Sequence, residues 1–548
     1  LFGLDFSVRD KGRGLQQHIT APTRSTNTTH YTTHTRMSSS STTATDSLVL
    51  TSASETKAVA FNKQVRTTFN ATIQAPTVEN DEHVARKAVD IVCVIDRSGS
   101  MSGEPMTLVK ETLSFMVGQL KDGDRLSVVT FGDDASLVFE LTDMNEAGRT
   151  KAQGEIRNLK VDGWTHLSGG VMMGLDQLAK RDKASANSVS SVLVFTDGQA
   201  NRGITAIDEL VKAVVAKLDG MSSGSNSISL HTFGFSANHN PELLTKLAEA
   251  AFGVFYYLPT VEKIPEVFAD CLGGLLSVVA LDVVLEVSVE YTGASISQVH
   301  TPFTVRQLTP GQHVSITLGQ MYSEQSRDIL VDVDLPSVDA RDEDVKVLKF
   351  KLSSINRAEE RVETSTFSTI DRTTEEDPST REVNETVVKQ KARIVTATAM
   401  KEALEHKSRG DIGRAKAALS SARANVTGYA TYSEQLQQAE TELEGANSGY
   451  LWTNMRSHMA QASSAQASAP PTATFAEFAP NHDAFGYSNS VQRKMKAAAP
   501  RSAAPVIPQP VAPATHYASV TVQAPTSAYG APQQQQPAQN DVFGSNLS

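Results

Sequence analysis

Cysteine is nearly missing. Cys93 and Cys271 are the only two in 548 residues, too few for a disulfide framework or a Cys-rich zinc module. Cys93 lies in an apolar strand-like run and Cys271 in an apolar helix-like one, so both read as small buried hydrophobes. A reducing compartment, the cytoplasm, fits them best. A basic excess is missing too: the net charge is -11, which argues against a general nucleic-acid binder. No apolar run is long enough to span a membrane, since the best candidate, residues 271–287, is broken by Asp282 and Glu286. Acid is missing from residues 11–45, which carry Lys, Arg, Ser and Thr. That bias is shared with organelle transit peptides, but the stretch has no amphipathic apolar face. It reads as a disordered or non-coding leader, with Met37 a candidate initiator.

What is present is 40% hydrophobic and 20% charged, a globular balance in a chain long enough for several domains. The informative stretch begins at Ile91. Five apolar residues, Ile91 to Ile95, are followed by Asp96-Arg97-Ser98-Gly99-Ser100-Met101. The run reads as a strand buried on both faces, as in a parallel sheet. Asp96, Ser98 and Ser100 then stand beyond its carboxyl end, where open α/β sheets bind ligands. One carboxylate and two hydroxyls are hard oxygen donors, suited to Mg²⁺, Mn²⁺ or Ca²⁺ rather than Zn²⁺. Helix capping and turn formation explain Asp-x-Ser-x-Ser alone about as well.

Two later segments tip that balance: Gly163-Trp164-Thr165-His166-Leu167-Ser168-Gly169-Gly170, and Val192-Leu193-Val194-Phe195-Thr196-Asp197-Gly198. Asp-x-Ser-x-Ser after a buried strand, followed in order by Thr165 and Asp197, resembles the metal-ion-dependent adhesion site (MIDAS) of von Willebrand factor A (VWA) domains. The resemblance implies that Ser98, Ser100 and Thr165 ligate one cation, Mg²⁺ or in its place Mn²⁺ or Ca²⁺. It implies further that Asp96 and Asp197 bond to that cation directly or through water. An Asp or Glu of a protein partner would fill an open position.

Read in order, residues 1–55 are Ser/Thr-rich and predict disorder. The partly alternating residues 60–80 predict a half-exposed strand in search of a sheet. Residues 88–279 alternate strand and helix, which predicts an α/β fold: a Rossmann-like, doubly wound, mostly parallel sheet with helices on both faces, closed by a helix from Val261 to Val279. Residues 281–370 alternate like antiparallel strands and predict a β-sandwich that residues 60–80 join. Residues 372–381 read as a charged linker, residues 382–446 as a helical hairpin turning at Arg409-Gly410-Asp411, and residues 463–548 as a disordered Ala/Pro/Gln-rich tail.

This order of parts resembles intracellular VWA proteins in which a β-rich segment and a Hint-associated helical domain follow. The likeness is tightest at His231-Thr232-Phe233-Gly234-Phe235, at His239-Asn240-Pro241 and at Cys271-Leu272-Gly273-Gly274-Leu275-Leu276-Ser277-Val278-Val279. Some plant members are RING-type ubiquitin ligases, an activity that two cysteines cannot support here. The leading expectation is a non-enzymatic, metal-dependent scaffold or adaptor. A ubiquitin-pathway component without its own RING, and a secreted adhesion protein resembling the inter-alpha-trypsin inhibitor heavy chains, are the alternatives. Oligomeric state is not readable. His166, His231 and His239 suit packing better than catalysis, and Asp133-Asp134 suits a solvated turn. Trp164 reads equally as an exposed anchor or as packing under its loop. The Asn-x-Thr sequons at Asn27, Asn70, Asn384 and Asn425 read as chance.

Overall fold

A computed structural model of the chain describes residues 47–77, 86–182, 185–221, 228–235, 239–258, 260–301, 303–426, 428–443 and 489–500. The disorder expected of residues 1–46, 463–488 and 501–548 lies outside that set. The described part opens with strands β1 (Val49–Ser54), β2 (Ala58–Ala60) and β3 (Val65–Gln74). An α/β domain follows. Its strands are β4 (Val89–Asp96), β5 (Arg125–Phe131), β6 (Ala135–Asp143), β7 (Val189–Thr196), β8 (Ile228–Phe235) and β9 (Phe255–Leu258). They form one sheet in the order β6-β5-β4-β7-β8-β9, parallel throughout except for the β5–β6 pair.

Every residue of β4 is buried, and strand alternation decides to which side each side chain goes. Val89, Ile91, Cys93 and Ile95 share a core with α1 (Glu104–Gln119), α2 (Glu146–Arg157) and α6 (Ile264–Leu275). Val92 and Val94 share the opposite core with α3 (Leu167–Ala179), α4 (Ile207–Met221) and α5 (Pro241–Ala250). A continuous apolar run is what a strand between two helical layers requires. Phe195 and Phe233 stack 4.5 Å apart, with the α6 residue Phe268 at 5.6 and 6.0 Å from them, each ring pair adding about 0.5–1.5 kcal/mol beyond area burial. Helix α2 has no counterpart among the predicted elements. Gly148 and Gly154 interrupt it, and only Gly148, Ala152 and Ile156 are buried, a stripe too thin to show as a period. The closing helix stops at Leu275 rather than Val279, because Val278 already belongs to the next strand.

That strand, β10 (Val278–Val289), begins a β-rich region with β11 (Ser295–His300), β12 (Thr304–Thr309), β13 (His313–Tyr322), β14 (Ser326–Leu335), β15 (Asp342–Ile355) and β16 (Arg361–Thr373). Two sheets result, β1-β3-β14-β11 and β12-β13-β10-β15-β16-β2. Phe69, Ile73 and Val331 from the first share one core with Leu285, Ile316 and Phe350 from the second. Strand β3 pairs with β14 along its whole length, from Val65 opposite Leu335 to Gln74 opposite Ser326. The α/β domain is therefore inserted between β3 and β10 of the sandwich. Residues 49–54 correct the expected leader: β1 is ordered by pairing with β3, Val49 opposite Gln74 through Ser54 opposite Phe69, a non-local partner that local composition does not reveal. Strand β16 likewise runs into the expected linker, as far as Thr373.

The hairpin expected at 382–446 is a bundle of α7 (Glu385–Ser408), α8 (Ile412–Asn425) and a third helix, α9 (Ala430–Glu442). Tyr432, Leu436 and Ala439 of α9 pack with Met400, Leu404 and Leu419; these few apolar anchors are sparse among polar neighbours, which hid the helix. Asn384 caps α7 by accepting from the amides of Thr386 and Val387. Asn70 is buried and donates to Asp328 at 2.9 Å. Both sequon asparagines thus have structural work in the fold. A further helix, α10 (Ser490–Ala498), the last among the described residues, lies in the stretch expected to be disordered tail and packs on α6.

Candidate metal centre

Three loops at the carboxyl end of the sheet bring the five candidate residues together. After β4, the chain turns at Ser98 into a short 3-10 turn, Gly99–Met101. Asp96 is fully buried, and its two oxygens are fixed separately: Oδ1 accepts from the Ser98 amide at 2.8 Å and Oδ2 from the Thr196 hydroxyl at 2.6 Å. The Ser98 and Ser100 hydroxyls lie 3.2 Å apart, and Ser100 donates to Asp197 Oδ1 at 2.7 Å. Thr165 arrives on the loop before α3. That loop is tied down by the Gly99 amide to the Gly163 carbonyl at 3.2 Å, Asp162 to Arg97 at 2.6 Å, and Thr165 to the Asn201 side chain at 2.9 Å. Beside it, a Cβ on Gly198 would stand 3.3 Å from the Thr165 hydroxyl; glycine there keeps the space next to that oxygen clear.

Charge is the unusual feature. Burial, the largest cause, pushes the Asp96 carboxyl up to about 6, against the hydrogen bonds from Thr196 and Ser98, and nearby Asp197 pushes the same way. Burial raises Asp197 too, opposed by the Ser100 hydrogen bond. Among the described residues neither carboxylate has an ion-pair partner. The neighbouring cations are taken: Arg97 faces Asp162 at 3.7 Å and Arg202 faces Asp133 at 3.0 Å. Two buried carboxylates beside three hydroxyls, without a basic side chain, form a donor set that fits a hard divalent cation. Among the described residues no three His, Cys, Asp or Glu side chains gather as a metal-binding group, so the hydroxyls are indispensable to any such site.

Trp164 is 64% exposed, so it does not pack under its loop; its amide donates to Asp133 at 3.2 Å. Asp133 also accepts from Arg202 at 3.0 Å and so joins two loops from within a solvated turn. His231 lies away in β8, fully buried, accepting at Nδ1 from the Val254 amide at 3.1 Å. Burial drives its pKa down to about 3, which keeps it neutral. His239 sits at 3.1 Å from the Phe235 carbonyl. Neither histidine is part of the centre. Sequence reading missed Thr196 and Asn201, which hold Asp96 and Thr165 in place. Thr196 adjoins Asp197, whereas Asn201 carries no local signal.

Residues 90–270 match the family model of the von Willebrand factor type A domain. An uncharacterized protein of Synechocystis is 30% identical over 185 residues, covering 34% of this chain and 41% of the relative. The E3 ubiquitin-protein ligase WAV3 of Arabidopsis thaliana is 25% identical over 259 residues, covering 47% of this chain and 32% of the ligase. The matched stretch thus spans less than half of either relative's length. Among solved structures, a von Willebrand factor type A protein from Catenulispora acidiphila superposes with a TM-score of 0.56 at 17% identity, covering 77% of this chain and 97% of that one. That fold likeness extends beyond the α/β domain. With its sheet order, its two helical layers and the family match, the segment from 90 to 270 is a von Willebrand factor type A domain.

Proposed function

We propose that this chain is a non-enzymatic protein-interaction module, a scaffold or adaptor working in the cytoplasm, that captures an Asp or Glu of a partner protein through a divalent cation. Asp96, Ser98, Ser100, Thr165 and Asp197 would hold Mg²⁺, with Mn²⁺ or Ca²⁺ as substitutes. Once bound, the ion supplies a positive charge able to accept one more oxygen ligand. The carrying observation is the pair of buried carboxylates with raised pKa and no cationic partner, set among hydroxyls at the carboxyl end of the sheet. Such charges are costly to bury alone, and a cation at this point offsets both. A second reading, a ubiquitin-pathway component without its own RING, draws on the alignment with the plant ligase. With both cysteines buried, these residues would recognise a protein rather than carry ubiquitin.

Capture from a cell lysate on the immobilised full chain tests the reading. Partners are expected to be retained in Mg²⁺, released by EDTA and absent from a Thr165→Ala column. Retention that ignores both chelator and substitution would contradict it.

A further inference from the structure

The segment Cys271-Leu272-Gly273-Gly274-Leu275 carries a feature that metal binding leaves unexplained. Two adjacent glycines sit inside α6, where each lowers helix stability by about 1 kcal/mol relative to Ala. Their surroundings supply the reason. A Cβ on Gly273 would come within 2.7 Å of Gln492 Cα, and one on Gly274 within 3.2 Å of the Tyr322 ring and 3.4 Å of Gln492 Nε2. The glycines form a notch, and α10 lies in it.

The fit is specific as well as close. Asn489, 2% exposed, caps α10 reciprocally with Gln492 and donates from Nδ2 to the Ser277 hydroxyl at 2.8 Å and the Ser323 carbonyl at 3.1 Å. Those two acceptors belong to the end of the α/β domain and to the turn after β13, so a single side chain bridges both. Gln492 donates to the Asp270 carbonyl at 3.1 Å, and Ser490 donates its amide to Glu324 at 3.1 Å. Lys496 meets the Asp270 carboxylate at 3.1 Å with both side chains under 15% exposed, and Met495 packs on the α/β core. A nine-residue helix is marginal in water by itself, so α10 is helical by virtue of docking. Residues 444–488 separate it from α9.

We propose that the notch of α6, with Ser277 and the β13–β14 turn, is a docking groove for a short helix of the pattern Asn-x-x-Gln-x-x-Met-Lys. Residues 489–499 are its resident ligand, held in cis and releasable. Docked, the segment clasps the α/β domain to the sandwich; released, it uncovers the groove for an equivalent helix.

Hydrogen exchange on the full chain separates this from a merely structural helix. Gly273→Ala removes a helix-weakening residue yet intrudes on the Gln492 backbone. In this variant amides 493–498 should lose at least tenfold protection while those of α6 keep theirs. Met495→Asp, which leaves α6 untouched, should do the same. A labelled peptide of residues 487–500 should then bind full-length Met495→Asp at least tenfold more tightly than wild type, whose own segment competes. Placing Asn489→Ala in the peptide should weaken that binding. Unchanged protection of amides 493–498 in both variants, or equal peptide binding to wild type and Met495→Asp, would overturn the proposal. Dimers that dissociate on Met495→Asp substitution would overturn the cis assignment.

Discussion

Asp96→Asn is expected to stabilise the metal-free protein at pH 7.5 while removing its response to Mg²⁺. The amide is isosteric and keeps both contacts: its oxygen can accept from the Ser98 amide, and its nitrogen can donate to the Thr196 hydroxyl, which now occupy Oδ1 and Oδ2. What it lacks is the charge. The Asp96 carboxyl titrates near 6 against an ordinary 3.8, so its charged form is disfavoured in the folded chain. The penalty is absent below about pH 4, where both states are protonated, grows as the unfolded chain loses its proton, and is full above about pH 6. Two pKa units correspond to about 3 kcal/mol at most. Wild type should therefore lose stability between pH 4 and 6 in EDTA, and Asp96→Asn should lose less. Added Mg²⁺ should restore wild type by RT ln(1 + [Mg²⁺]/Kd), about 2.7 kcal/mol at a hundredfold excess over Kd, and leave the variant unmoved. Scanning calorimetry across pH with and without Mg²⁺ reads both. A variant less stable than wild type at pH 7.5 in EDTA would show that the carboxylate is an ordinary structural group.

At the opposite end of the same strand, Asp90→Ala is expected to cost about 3–5 kcal/mol, the usual loss when one partner of a buried ion pair is removed. Asp90 is fully buried. It accepts from Arg125 at 2.8 and 2.6 Å, from Arg181 at 2.7 Å, and from the Asn187 side chain and amide at 2.8 and 3.2 Å. Hydrogen bonding to Asp90 is the main reason the Arg125 pKa is raised. Without the carboxylate two guanidiniums, 14% and 7% exposed, lose the counter-charge they share, and the weaker pull of Asp143 on Arg125 does not replace it. The substitution should lower the melting transition of the α/β domain with an intact carboxyl-end site. Breaking the exposed Lys57–Glu382 contact should leave that transition in place. Equal melting of Asp90→Ala and wild type would contradict the burial argument.

The two aspartates illustrate what the chain discloses by itself. The run from Ile91 to Ile95 announces a doubly covered strand because every one of its residues is apolar, and the α/β fold follows from that pattern. Asp96, Ser98 and Ser100 are visible because they end that run. Thr165 is different: nothing local marks it, and the likeness to VWA domains points to it. Thr196, Asn201 and Gly198 stayed hidden because they orient other residues, a role that exists only once three loops converge. Strand β1 and helix α10 stayed hidden for a related reason, since each is ordered by a distant partner: β3 for one, the Gly273–Gly274 notch for the other. His231, by its place in a strand, reads as a packed imidazole, and its burial and bond to Val254 agree.

The proposed site is a set of five residues from three loops that holds one divalent cation. Titration calorimetry of Mg²⁺ and then Mn²⁺ into the EDTA-stripped full chain, beside Thr165→Ala, meets it most directly. Thr165 is tied to Asn201 through its backbone amide, which alanine keeps, so loss of the hydroxyl should spare the fold, checked by circular dichroism. Saturable binding at one ion per chain, weakened at least tenfold by the substitution, is the predicted result. Titrations of wild type and Thr165→Ala that coincide, whether both silent or both saturable, would contradict the claim.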